Sequence, residues 1–217
     1  VDWMRLENIK AFAQSVIGDD MTGHDWRHAL RVEANARKIS PDVLSEDEIE
    51  IVRAACWLHD TIDDKIADEK RVTIADVEAV LLENESTDQQ VEQILYIIQN
   101  LSYSKNIDKK QRLNLLGQIV QDADRLDALG AIGTARAFYY GGSKKHLIYD
   151  DTRPRKAEDI TEEYYREQDS VVNHFYEKLL ILTDCMNTKK GREMAAHRTK
   201  VMEYFLDELF DEIKAAN

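Results

Sequence analysis

The chain has 217 residues, 43% hydrophobic and 33% charged, with a formal net charge of -13. It holds only 2 Pro and 8 Gly, where average usage gives roughly 11 and 15. So few turn-forming residues exclude an all-β sandwich or barrel, and the acidity argues against a nucleic-acid surface and against an anionic membrane.

Helical periodicity predicts an all-α chain. A first helix covers 2–17 and stops at Gly18. Thr22 and Asp25 open a second, running to about Ile39 and broken by Pro41. Ser45 and Glu48 have the spacing of a capping box for a third helix, to about Asp60. Asp63 to Lys70 is a polar connection. Further helices are expected over 73–84, 87–102 and 109–128. Gly130, Gly133, Gly141 and Gly142 are half of the glycines and fall within thirteen residues. They predict a bend, then an irregular loop through Pro154. Two amphipathic helices, about 161–185 and 190–214, complete the chain. No strand, repeat or linker is evident, so one domain over 1–217 is expected. No apolar run approaches the roughly 18 residues of a membrane span. The opening VDWMRLENIKAF lacks a signal-peptide pattern. Cys56 and Cys185 are too few for a disulfide framework. A soluble cytoplasmic protein is the expectation.

Three helices share an anomaly. In the second, Val32, Ala36 and Ile39 lie on one face, and stepping back by fours reaches His28 and His24. In the third, the face of Ile49, Val52 and Cys56 continues to His59 and Asp60. In 109–128, the face of Leu113, Leu116 and Val120 continues to Asp124. Apolar stripes that run into His, His-Asp and Asp would bury carboxylates, at a cost of several kcal/mol unless a cation offsets them. A divalent metal held by imidazole nitrogens and carboxylate oxygens meets that need. Each residue alone reads as an ordinary structural histidine or a capping aspartate; the coincidence on three stripes favours the metal. The i, i+4 pair His24 and His28 also has zincin spacing. A zincin helix needs Glu after its first His, and Asp25 stands there instead.

The stretches HDWRHALRV, AACWLHDTIDDK, QDADRLDALGAIGTARAF and NHFYEKLL…MNTKKGREMAAHR resemble the HD-domain metal-dependent phosphohydrolases, in particular a bacterial nucleotide pyrophosphohydrolase branch, over roughly residues 20–210. The resemblance implies an all-α helical bundle of the HD-domain type, with its HD core at about 20–130 and C-terminal helices at 160–214 completing the pocket. It implies one divalent metal on His28, His59, Asp60 and Asp124, with Mn preferred and Mg, Fe, Co or Ni as alternatives. His59-Asp60-Thr61-Ile62-Asp63-Asp64 is similar to the HDxxED motif of alarmone hydrolases, with Asp63 in place of Glu. By that similarity Asp63 activates or orients a water and Asp64 supports it. His24 and Asp25 are placed beside the metal or the phosphate.

The implied reaction is hydrolysis of a (deoxy)nucleoside triphosphate to monophosphate and pyrophosphate. A phosphomonoesterase or phosphodiesterase on the same centre, and a non-catalytic nucleotide sensor, are the alternatives. A phosphorylated substrate in an acidic protein needs local cations. Residues 136–156 carry Arg136, Lys144, Lys145, Arg153, Arg155 and Lys156 against two aspartates, and 187–200 carry five cations against Glu193. Arg27, Arg125, Lys178, Lys144 and Arg198 are the candidate substrate contacts. Phe138, Tyr139 and Tyr140 read either as a wall for a base or as core. Exposed apolar positions on the last helices permit a homodimer without demanding one.

Overall fold

The computed structural model describes residues 3–18, 25–62, 72–101, 113–155 and 170–216. Among them are nine α-helices: α1 (Trp3–Ile17), α2 (Trp26–Ile39), α3 (Glu46–Leu58), α4 (Ile74–Glu83), α5 (Asp88–Asn100), α6 (Leu115–Asp127), α7 (Gly130–Ser143), α8 (Val171–Glu177) and α9 (Lys189–Ala215). A 3₁₀ segment, Leu179–Cys185, links the last two. The described residues hold no strand, only an isolated parallel bridge between Leu147 and Ser170. The chain divides into two compact units, Val1–Asp124 and Arg125–Asn217.

The first unit is built around α3, which packs against α1, α2 and α5. Its start is fixed by the expected capping box. Ser45 Oγ accepts from Glu48 N at 3.2 Å and Glu48 accepts from Ser45 N at 2.8 Å, satisfying two backbone donors that a helix start leaves orphaned. The same device opens α4 at Thr73 and α5 at Thr87. From Glu50 to Leu58 only Arg53 escapes burial, so α3 is buried all round rather than on one stripe. Ile49, expected on the inner face, is 42% exposed. Glu33 of α2 binds Arg53 of α3 at 2.9 Å, and Arg5 of α1 pairs with Glu50. α2 starts at Asp25, whose carboxylate accepts from His28 N at 2.9 Å.

In the second unit α9 packs against α7 and the 3₁₀ segment. Phe138 meets Phe175 and Phe205, with ring centroids 5.8 and 5.5 Å apart. It is therefore part of an aromatic core, while Tyr139 is half exposed. Buried Asp127 binds Arg136 at 2.9 Å.

The glycine-rich stretch corrects the sequence expectation: residues 130–143 form a helix. Only Gly130 takes a positive φ, +74°. Gly133 serves close approach instead, since a Cβ there would stand 2.2 Å from the Ala128 carbonyl oxygen. The segment expected as one helix over 161–185 is, where described, the short α8 followed by the 3₁₀ segment.

Candidate metal centre

Four side chains of the first unit converge. His28 comes from the first turn of α2, held by the Asp25 cap. His59 is the C-cap of α3, and Asp60 follows it in a turn, so α3 ends two residues before the expected boundary. Asp124 comes from the last turn of α6. Asn35 Nδ2 of α2 donates to Ala123 O at 3.1 Å, which ties α2 to the turn of α6 that carries Asp124.

His28 Nε2 lies 3.4 Å from Asp60 Oδ2 and 3.3 Å from Asp124 Oδ1. His59 Nε2 lies 3.4 Å from Asp60 Oδ1 and 3.6 Å from Asp124 Oδ1. The rings meet edge to face with centroids 5.4 Å apart. These N···O separations exceed ordinary N–H···O bonds, about 2.7–3.2 Å. Two ligand atoms each about 2.1 Å from a shared cation lie roughly 3 Å or more apart, so the spacing suits a common ion. Ligand atoms of His28, His59 and Asp60 all lie within 4.8 Å of one another. His28 is 1% exposed, whereas the Asp124 side chain keeps 37% exposure, which opens the cluster to solvent on that side.

The tautomer is fixed locally. His59 Nδ1 sits 2.8 Å from Cys56 O. A carbonyl can only accept, so Nδ1 carries a proton and Nε2 is the ring nitrogen left facing the carboxylates, where it would offer a lone pair to a bound cation. The electrostatics ask for positive charge. Burial alone would lower the His59 pKa, but the carboxylates of Asp60 and Asp124 outweigh it and raise it to about 10. Burial would raise the Asp124 carboxyl, but the close approach and positive charge of the His28 and His59 rings hold it well below the usual range. Two imidazoles and two carboxylates around a point that demands a cation fit a divalent metal of borderline or hard character. Cys56 is no thiolate donor: burial, then Glu33 and Asp124, push its thiol up.

The other sequence candidates separate. His24, Asp63 and Asp64 lie outside the described residues. Arg27 is exposed on α2. In the second unit Arg125 donates to Cys185 O and Arg198 to Leu126 O, so both guanidinium groups serve backbone carbonyls. Lys144 is exposed above the Tyr140 ring, 5.7 Å from its centroid. Lys178 is half-buried at the end of α8. Sequence reasoning missed Asn35 and the Cys56 carbonyl. Asn35 gave a signal, an amide three residues after Val32 on an otherwise apolar stripe; a backbone carbonyl gives none.

Residues 25–129 match the HD domain family. The chain belongs to the HD-domain superfamily of phosphohydrolases, whose HD domains bind a divalent metal. It is similar to the uncharacterized protein YpgQ of Bacillus subtilis, 35% identical over 210 residues, which is 96% of this chain and 94% of YpgQ. Among solved structures it resembles a Lactobacillus plantarum protein (TM-score 0.84, 39% identity, 99% of each chain covered). It also resembles an HD-superfamily hydrolase of Bacillus thuringiensis (TM-score 0.76, 34% identity, 99% and 100% covered). A third similar structure is YpgQ in complex with ADP (TM-score 0.77, 33% identity, 96% and 95% covered). Among the described residues no helix is long and apolar enough to cross a membrane.

Proposed function

We propose that the protein is a hydrolase of nucleotide phosphoanhydride bonds, taking a (deoxy)nucleoside triphosphate to monophosphate and pyrophosphate. The observation that carries this reading is the His28–His59–Asp60–Asp124 cluster, whose donors suit a hard or borderline divalent cation. The ADP complex of YpgQ supports a nucleotide as ligand. His28 and His59 would hold the cation through Nε2, Asp60 and Asp124 through carboxylate oxygens, with Mn as the first metal to test. When bound, such a cation supplies Lewis acidity toward phosphoryl oxygens and lowers the pKa of water. Asp25 and Asn35 keep two of the ligands in register through α2. The Cys56 carbonyl keeps the His59 ring turned inward.

The resemblance assigns water orientation to Asp63 and Asp64 and a supporting place to His24. It makes Arg27, Arg125, Lys144, Lys178 and Arg198 the candidate contacts for substrate phosphates. We place the activity in the cytoplasm, in one functional domain spanning the chain. The test is direct. The purified protein is assayed with Mn, Mg, Fe, Co and Ni in turn against triphosphates, monophosphates and cyclic nucleotides, with products identified. Pyrophosphate released from a triphosphate is the expected result. Orthophosphate from a monophosphate, or opening of a cyclic nucleotide, selects an esterase; metal binding without turnover selects a sensor.

A further inference from the structure

In the first unit an open groove of about 940 Å³ runs between α4, α5 and the residues that open α6. It arises from how the two helices divide their apolar side chains. α4 buries Val77 and Leu81, and α5 buries Val91, Ile94, Ile97 and Ile98. Leu82, near the end of α4, is left 49% exposed, and Leu95 and Tyr96 of α5 stay half-buried. These three line the groove together with the buried Val91 and Leu113. The wall beside α6 is held in place by one amide. Asn114 Nδ2 donates to Gln93 Oε1 at 2.5 Å, and Asn114 Oδ1 accepts from Gly117 N at 2.9 Å. The charged side chains of the groove are all acidic: Glu78, Asp88 and Glu92. Among the described residues none of the three carboxylates has an ion-pair or hydrogen-bond partner. Their surroundings have the same sign. Residues 73–100 hold six acids and no Lys, Arg or His, which is -6 of the chain's net -13.

We propose that this groove receives a basic amphipathic helix of a partner protein. Its apolar side chains meet Leu82, Leu95 and Tyr96, and its Lys or Arg side chains meet Glu78, Asp88 and Glu92. An amphipathic helix binds by laying an apolar face into such a groove, with anchors one turn apart. The lining residues of α5 run from Asp88 to Gln99, roughly 16 Å at 1.5 Å per residue, which is three turns of a bound helix. Charge decides which helix enters. An acidic or neutral one would bring like charge, or leave the three carboxylates desolvated without a partner. A basic one supplies the missing cations, and the field of the surrounding acids speeds its approach. A linear polyamine would answer the carboxylates but leave Leu82, Leu95 and Tyr96 facing water. No lining residue of the groove belongs to the metal centre, so its occupant is independent of the hydrolase reading.

The test uses the full chain and a labelled helical peptide with Leu at i, i+3, i+4 and i+7 and Lys elsewhere. Fluorescence anisotropy follows binding at about 0.15 M salt, where long-range attraction is largely screened. Saturable binding is expected. A peptide with Glu for Lys, one with Ser for Leu, and spermine as competitor should each fail to occupy the groove. Leu82→Ser should weaken binding about tenfold or more, and Glu78→Lys with Glu92→Lys together by a similar factor. All three side chains are exposed, so the fold does not depend on them. Glu203→Lys, an exposed charge reversal on α9, should change affinity by less than about twofold. No binding of the Leu-Lys peptide, equal binding of the Ser peptide, displacement by spermine, or an equal loss in Glu203→Lys would overturn the proposal. So would sedimentation showing a dimer of this chain that Glu78→Lys with Glu92→Lys dissociates, since a second copy would then fill the groove.

Discussion

Two glycines of α7, nine residues apart, should respond oppositely to the same substitution. A Cβ built on Gly133 stands 2.2 Å from Ala128 O and 2.3 Å from Ala128 C. Normal contact is about 3.2 Å or more, so roughly 1 Å of movement is needed, and the obstacle is backbone in the tight turn before α7. Overpacking of this kind costs typically about 1–3 kcal/mol and more when backbone must shift. We expect Gly133→Ala to cost about 3 kcal/mol or more. Gly142 is exposed near the end of the same helix, with nothing within 4 Å of a Cβ. There alanine removes unfolded-chain entropy and improves helix propensity, worth about 0.4–1 kcal/mol. For a chain of this length about 1 kcal/mol moves Tm by roughly 2–4 °C. Thermal and urea unfolding followed by circular dichroism should show Gly133→Ala melting about 6–12 °C below the parent and Gly142→Ala melting up to about 4 °C above it. A Gly133→Ala protein within 2 °C of the parent would refute the close-approach argument.

Four further predictions concern the site and the core. His59→Ala should lose both bound metal and hydrolysis; stoichiometric metal by mass spectrometry at full rate would remove His59 from the centre. Asn35→Ala breaks the buried bond to Ala123 O, so it should cost about 1–2 kcal/mol and weaken metal affinity about tenfold through Asp124; unchanged affinity in a folded variant would count against that coupling. His174 titrates near pH 6.5 when unfolded and at about 3 when folded, so below pH 6.5 the unfolded chain binds the extra proton. Its stabilising share is complete above pH 6.5 and erodes toward pH 3, with a slope approaching about 1.4 kcal/mol per pH unit; urea midpoints between pH 7 and 4.5 should fall less steeply in His174→Asn. Cys185 is exposed and Cys56 buried, so a thiol reagent should label one cysteine per native chain and two in urea, and fast labelling of both would contradict the packing of α3.

The convergence of four side chains was more legible in the sequence than the element boundaries. His28, His59, Asp60 and Asp124 could be placed together because each continues a stripe whose period a helix enforces. What continues a stripe need not be helical, though. α3 ends at Leu58, and His59 and Asp60 reach the cluster from a cap and a turn. Ile49 failed as a marker because its neighbours bury α3 on every side from Glu50 onward, so one face cannot be read from period alone. The glycines misled for a related reason. Gly133 and Gly141 are small where another part of the chain comes near, a tertiary cause that no local propensity carries. The Ala123 carbonyl that Asn35 holds, and the Cys56 carbonyl under His59, are backbone groups that any residue would supply, so only the fold reveals them.

The bond from His59 Nδ1 to the Cys56 carbonyl spans the final turn of α3, and His59 N and Thr61 N close the same end on Ala55 O and Leu58 O at 3.0 Å each. Helix ends open more often than helix middles. Each opening would free the imidazole to rotate, so a ligand that occupies Nε2 also holds the turn shut. Amide exchange at His59 and Thr61 therefore becomes a local clock for occupancy of the centre, slowing when the cluster is filled while exchange in the middle of α3 stays as it was.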